Sequence, residues 1–146
     1  MTAEFVWPSR VYWEDTDAGG VVYYANYLKF MERARTEWLR ALGIEQIPLK
    51  EQHGILLVIA QVEANYRRPA RYGDVLQVTC RIVECGKVSL TFEQNIYRAA
   101  HDSNNSADEL TRGELLLDGK TRVACVDVSN FKPRALPQII VRELKQ

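Results

Sequence analysis

The chain contains no apolar run near 18 residues, so no segment reads as a transmembrane helix. Met1 to Pro8 lacks a basic start followed by an apolar stretch, so a secretory signal is not expected. Cysteine is scarce: Cys80, Cys85 and Cys125 are odd in number and form no C-x-x-C pair. Each falls in a strand-like run, which favours buried free thiols over a disulfide framework or a zinc site. Histidine is scarcer still, with only His53 and His101, and neither has a ligand-like spacing to a second His or Cys. A metal site is therefore not expected. Net charge is absent too, because 19 basic and 19 acidic residues cancel. No bulk field recruits nucleic acid or an anionic membrane, so an anionic ligand must meet a local cluster. There is no repeat, low-complexity tract or linker. These absences point to one soluble, cytoplasmic domain spanning residues 1–146.

What is present centres on Arg10 to Gly43. Arg10 to Trp13 includes Val11 and two aromatics and reads as strand. Asp15-Thr16-Asp17-Ala18-Gly19-Gly20 is turn chemistry: Asp bonds nearby backbone, and Gly accepts positive φ. Tyr27, Met31, Ala34, Trp38 and Leu42 then recur at a 3.6-residue period, which predicts one long helix with a buried face. Lys29, Glu32, Arg33, Glu37 and Arg40 lie mostly off that face, with Arg33–Glu37 and Glu37–Arg40 as supporting pairs. Asn26 is the best N-cap by residue type, and Gly43 is the natural C-terminal stop.

Ile44 to Gln52, containing Pro48, is a connection with room for a helical turn. Ala60, Val62, Ala64 and Tyr66 alternate with polar residues and predict a half-buried strand. Pro69 and Gly73-Asp74 break the pattern. Leu76, Val78, Cys80 and Ile82 mark the next strand, and Cys85-Gly86-Lys87 a hairpin connection. Val88, Leu90, Phe92 and Ile96 mark another strand, before a polar loop from His101 to Ser106. Leu110 to Val128 is strand-like, with bulges expected at Gly113 and Gly119. Phe131 to Pro137 is irregular, and Gln138 to Leu144 is a short strand or helix. One apolar-faced helix followed by strands close enough for antiparallel pairing is an α+β pattern, a sheet wrapped on a helix.

A carboxylate just before a helix start sits beside free backbone amides and the positive end of the helix dipole. Those amides suit an oxyanion, while the carboxylate attacks or takes a proton. Asp17 is the acid in question; Asp15 fits a turn or supporting role better.

Asp15-Thr16-Asp17-Ala18-Gly19-Gly20-Val21-Val22-Tyr23-Tyr24-Ala25-Asn26-Tyr27 resembles the active-site signature of the 4-hydroxybenzoyl-CoA thioesterase family of hotdog-fold enzymes. Glu32-Arg33-Ala34-Arg35-Thr36-Glu37 and Lys132-Pro133-Arg134-Ala135-Leu136-Pro137 resemble a narrower branch, the Tol-Pal system-associated acyl-CoA thioesterases. The resemblance implies a hotdog fold, acyl-CoA hydrolysis without a metal or redox cofactor, and an active site between subunits of a dimer or dimer of dimers. Coenzyme A is then part of the substrate. Asp17 matches the family's catalytic carboxylate; whether it attacks the thioester or activates water stays open. Tyr24 stands where the narrower branch commonly carries His, and its backbone N–H matches the oxyanion donor. Gly20, Val21 and Tyr27 belong to the same substrate-binding signature. Arg67 and Arg68, with Arg71 nearby, form the densest basic cluster, Lys132 and Arg134 a second, and Lys87 a further candidate. Each reads either as solvated loop charge or as a contact to phosphates of coenzyme A or of a carrier protein's pantetheine arm. An acyl-carrier-protein or envelope-complex binder with incidental turnover is the alternative reading. A hotdog dehydratase is disfavoured, since the signature has no His.

Overall fold

The computed structural model describes residues 3–101 and 110–144. Beyond His101, the expected polar loop lies outside the described residues. The strands are β1 (Phe5–Arg10), β2 (Ile55–Tyr66), β3 (Val75–Cys85), β4 (Ser89–His101) and β5 (Leu110–Asp127), and the helices are α1 (Asn26–Ala41), α2 (Gln46–His53) and α3 (Gln138–Leu144). The strands form one sheet in the order β1-β3-β4-β5-β2, with every pairing antiparallel. The first strand therefore ends at Arg10 rather than beginning there. Trp13–Asp15 is a 3₁₀ turn instead of strand.

The sheet curls around α1. Phe30, Met31, Ala34, Trp38 and Leu39 of α1 are buried with Leu76, Val78, Cys80 and Ile82 of β3, Leu90, Phe92 and Ile96 of β4, and Leu117, Val123 and Cys125 of β5. Each large side chain so buried contributes roughly 1.5–3 kcal/mol. Gly119 of β5 does not bulge; it stays in register opposite Gln94 and Ala64. Its role is closeness: a Cβ there would sit 2.6 Å from the Glu63 carbonyl and 3.4 Å from Met31 Cε. The register shifts of the β4–β5 pair fall instead between Ile96 and Ala99, opposite the stretch around Gly113.

Three local expectations change. Asn26 is the first residue of α1, not its cap; Ala25 occupies that place, in helical geometry and without a side-chain cap. Asn26 instead donates from Nδ2 to the Asp15 carbonyl at 2.9 Å. Of the two expected charge pairs on α1, Glu37–Arg40 forms at 2.7 Å, whereas Arg33 lies over the Phe30 ring. The third change is in β2. Its pairing with β5 shifts between Ile59 and Gln61, and it sits at a sheet edge. Ala64 alone of the four alternating residues is partly buried; Val62 is 40% and Tyr66 48% exposed. Ile59 just before the shift is 50% exposed. An edge strand lacks the neighbour whose side chains would complete its burial.

The opposite edge, β1, carries Pro8 in mid-strand, paired with Gln77 of β3. Proline has no N–H to donate, and edges are where sheets tolerate it. The C-terminal arm packs back over the sheet. Leu136 and, in α3, Ile140 and Leu144 are buried, and Arg134 Nη1 donates to the carbonyls of His53 and Gly54, both at 3.2 Å, closing α2.

Candidate active site

The residues from Tyr12 to Tyr27 fold as one clamp. Asp15 is buried. Its Oδ2 accepts the Tyr12 N–H at 2.8 Å, and its carbonyl accepts the Tyr23 N–H at 2.9 Å along with Asn26. Asp15 thus ties the turn to the start of α1, as its residue type and spacing led one to expect. Asp17 faces outward. The Gly19 N–H donates to Asp17 Oδ1 at 2.8 Å, and the Asp17 N–H and carbonyl close the turn onto Val21 and Gly20. Gly20 has φ +80°, where a side chain would be strained. Among the described residues, Asp17 Oδ2 has no donor. The carboxylate is therefore held by one oxygen and presented by the other.

Helix-start amides lie close in the chain. Neither the Tyr24 nor the Ala25 N–H meets a protein acceptor among the described residues. The carbonyl of Tyr24 accepts the Tyr66 hydroxyl at 2.9 Å, which fixes the Tyr24–Ala25 peptide plane. The rings of Tyr24, Tyr27 and Tyr66 meet edge to face. Together with Val22, Arg67, Arg68 and Pro69 they line an open cleft of about 300 Å³. Tyr24 is largely exposed, whereas Tyr27 is buried, and its hydroxyl accepts the Ala70 N–H at 3.0 Å. Burial pushes the Tyr27 phenol above its usual range; the Ala70 bond and Arg98 oppose this, and the charges of Asp17 and Asp74 add to it. Burial likewise raises the Tyr66 phenol, with Tyr24 and Tyr27 adding to it. Both stay protonated near neutral pH.

The two arginines of the cleft differ. Arg67 Nε is paired with Asp118 at 2.6 Å, and that bond raises the arginine's pKa and lowers the acid's. Arg68 comes only to 4.0 Å from Glu114, an acid that Arg98 also holds. Arg68 is thus the freer cation. Gly20 and Val21 lie on the turn that leads to the cleft, Val21 bridging to Arg71. Lys87 is elsewhere. It sits in the β3–β4 hairpin, where its carbonyl accepts the Leu136 N–H at 3.0 Å. Arg67 bonds the Leu116 carbonyl, whereas Ser89 pairs with Ala124. Those places on β5 are about 25 Å apart at strand rise. The structure therefore brings Asp17, Gly20, Val21, Tyr24, Tyr27, Arg67 and Arg68 to one end of the molecule and leaves Lys87 at the other end of its own chain. Arg134, of the second basic cluster, is taken up by α2 and by Asp127.

Tyr66 and Asn26 escaped the sequence reading. Tyr66 closes an alternating strand and looked like a packing residue; Asn26 looked like a cap. Their contacts cross 42 and 11 residues, separations that no local pattern encodes. Among the described residues no cluster of three or more His, Cys, Asp or Glu could hold a metal ion.

The model of the thioesterase-like superfamily matches residues 11–144. The acyl-CoA thioester hydrolase YbgC of Escherichia coli O6:H1 is 43% identical over 145 residues, covering 99% of this chain and 98% of that protein. The acyl-CoA thioesterase YbgC of Haemophilus influenzae is 41% identical over 92% of this chain and 89% of that one. Among solved structures, a probable thioesterase from Bartonella henselae is 32% identical at a TM-score of 0.73, with 93% of this chain and all of that one covered. A 1,4-dihydroxy-2-naphthoyl-CoA thioesterase from Synechocystis shares the fold at a TM-score of 0.84 and 22% identity, covering 99% and 97%. With a sheet curled on one long helix, an acid-bearing turn at that helix's start, and these matches along nearly its whole length, the chain belongs to the thioesterase-like superfamily and has the hotdog fold.

Proposed function

We propose that this protein hydrolyses acyl-CoA thioesters, with Asp17 acting on the thioester carbonyl and the unpaired amides of Tyr24 and Ala25 taking up the developing oxyanion. The observation that carries the reading is the Asp17 turn. It holds an outward carboxylate by one oxygen in the turn that leads into a helix start whose amides are free, and that helix start borders a cleft walled by tyrosines and arginines. The YbgC relatives, named as acyl-CoA thioester hydrolases, support the substrate class.

A thioester carbonyl whose oxygen points at those amides gains negative charge as it is attacked, and fixed amides cost nothing to reorganise at that moment. An aspartate, with an ordinary pKa of about 3.9, is ionised at neutral pH. Either it adds to the carbonyl, expelling the coenzyme A thiolate and leaving a mixed anhydride for water, or it takes the proton of an attacking water. Neither route calls for a metal or redox cofactor. Arg68, and Arg67 when released from Asp118, would meet phosphate of coenzyme A or of a carrier protein's pantetheine arm. The reading includes a homo-oligomer, a dimer or dimer of dimers paired through the exposed β2 edge. A cytoplasmic location is the reading that the composition and cysteine usage favour, and the genetic company of the Tol-Pal system rests on the branch resemblance. The test is Asp17→Asn. Free-thiol release from a panel of acyl-CoAs should fall about 10²–10⁴-fold in kcat with the melting temperature unchanged. Near-normal turnover by the folded variant would end the assignment.

A further inference from the structure

Arg35 is a cation turned inward. It lies on the buried stripe of α1, and its Nη1 donates to Gln94 Oε1 at 2.8 Å and to Thr121 Oγ1 at 3.5 Å. Gln94 is fixed in turn, donating to the Met31 carbonyl at 2.9 Å and to Cys80 Sγ at 3.1 Å. All these partners are neutral. Among the described residues no carboxylate pairs with Arg35. Glu32, one turn back, accepts the Thr36 hydroxyl at 2.7 Å and acts on Arg35 through its charge without pairing with it. A charge taken from water without a counter-ion is costly.

The rest of the guanidinium has somewhere to go. Every fully buried side-chain nitrogen or oxygen among the described residues has a partner. Among the described residues Nε and Nη2 of Arg35 have none, so they are not fully buried. Arg35 lines a cavity of about 140 Å³ whose other walls include Leu39, Leu57, Ile59, Phe92 and Val123. A second cavity of about 150 Å³, walled by Arg40, Ile44, Glu45, Ile47 and Pro48, lies beyond Thr36 and Gln46, which line both cavities and are bonded to each other at 3.2 Å. The first cavity is thus a groove with an apolar floor, the Arg35 cation in its wall, and Glu32, Thr36 and Gln46 at its rim. Nε and Nη2 are the side-on fork that matches a planar carboxylate with two parallel bonds.

We propose that this groove binds the free carboxylate of an aliphatic acid, with the head group on Arg35 and the chain over Leu39, Leu57, Ile59, Phe92 and Val123. Arg35 is nine residues along α1 from Asn26, about 13 Å at helical rise, so the site is separate from the Tyr24 cleft. A free acid carries the charge that the groove matches; a thioester does not. The acid is either the product of the proposed hydrolysis or a fatty acid of other origin. Binding is measured without turnover, so its failure and that of the thioesterase reading are read separately.

The test is titration of the full chain with sodium decanoate, followed by calorimetry and by methyl NMR of Leu39, Leu57, Ile59 and Val123. The expected result is saturable binding at those methyls, with 1-decanol at least tenfold weaker. Arg35→Met should abolish the preference for decanoate. Because that variant also strips Gln94 and Thr121 of a donor, two exposed rim residues provide further tests. Gln46→Trp should block the groove and weaken decanoate at least tenfold with the melt unchanged. Glu32→Gln removes an opposing charge and should tighten decanoate severalfold while leaving decanol unaffected. Equal binding of decanol, indifference to all three substitutions, or shifts confined to the Tyr24–Tyr66 cleft would overturn the proposal. The source is settled by chain length: an affinity order across hexanoate, decanoate and hexadecanoate that follows kcat/KM for the matching acyl-CoAs marks the product, and any other order marks an unrelated acid.

Discussion

Asp15 and Asp17 are two residues apart and do opposite jobs. Asp15 is spent on Tyr12, Tyr23 and Asn26, so Asp15→Ala should cost about 1 kcal/mol of stability, as losing a cap does. Its melting temperature should fall while Asp17→Asn leaves the melt in place. Arg67 and Arg68 also separate. Arg68→Glu should raise KM for acyl-CoA severalfold with kcat kept. Arg67→Glu should in addition destabilise the fold, by setting a second acid against Asp118. At the thiols, burial pushes Cys80 up to about 12 and raises Cys125 as well, so neither forms thiolate in the native state. Iodoacetamide should label the half-buried Cys85 first and the other two only after unfolding, as peptide mass mapping would show. Residue identity was a good guide to Asp15 and Asp17 as turn residues, because the bonds of turn acids are local. It was a poor guide to Arg35, which occupies the inward stripe between Met31 and Trp38 although its chemistry assigns it to the outside. The bonds that keep it there come from β4 and β5, 59 and 86 residues away.

At the scale of elements, α1 was legible because a 3.6-residue repeat on a 16-residue helix is a strong signal. Only its start was misplaced, since the Asn26 side chain donates to the Asp15 carbonyl instead of accepting from a first-turn N–H. β2 to β5 were legible as strands, whereas β1 was read from Arg10 to Trp13 and instead ends at Arg10. What could not be read was which strand lies at an edge, and β2 shows why: its alternation is that of a covered strand, but coverage depends on neighbours chosen by the whole sheet. Gly119 is a second case. It looked like a bulge and is a point of contact, set by the helix lying across it. Gly119→Ala should therefore push Met31 and the Glu63 carbonyl aside and cost about 1–3 kcal/mol. A chemical-denaturation midpoint lowered without change of slope would show it.

For the molecule as a whole, acid sensitivity follows from its paired carboxylates. Asp118 is held below the usual range by bonds from Arg67 and then Asn65, and Asp127 by Ser129. A lowered folded pKa means stability that is present above the unfolded value of about 3.9 and lost as pH falls through the folded one. Melts taken from pH 6 to pH 2 should decline below pH 4, and Asp118→Asn should flatten part of that decline. Both acids are near the surface, so the slope should be shallow and weaken in salt.

The two borders of the sheet are not alike, and the difference limits growth. β2 offers a long open row of donors and acceptors; six-residue β1 is interrupted by Pro8. A ribbon that can be extended on one side only is finished after one addition, because two copies joined through β2 present Pro8 at both outer margins. Stacking into a fibre would need a second adhesive margin, and the imino acid withholds it. In the dimer proposed through β2, restoring that margin with Pro8→Val should give a species that lengthens with concentration, a change that light scattering would register.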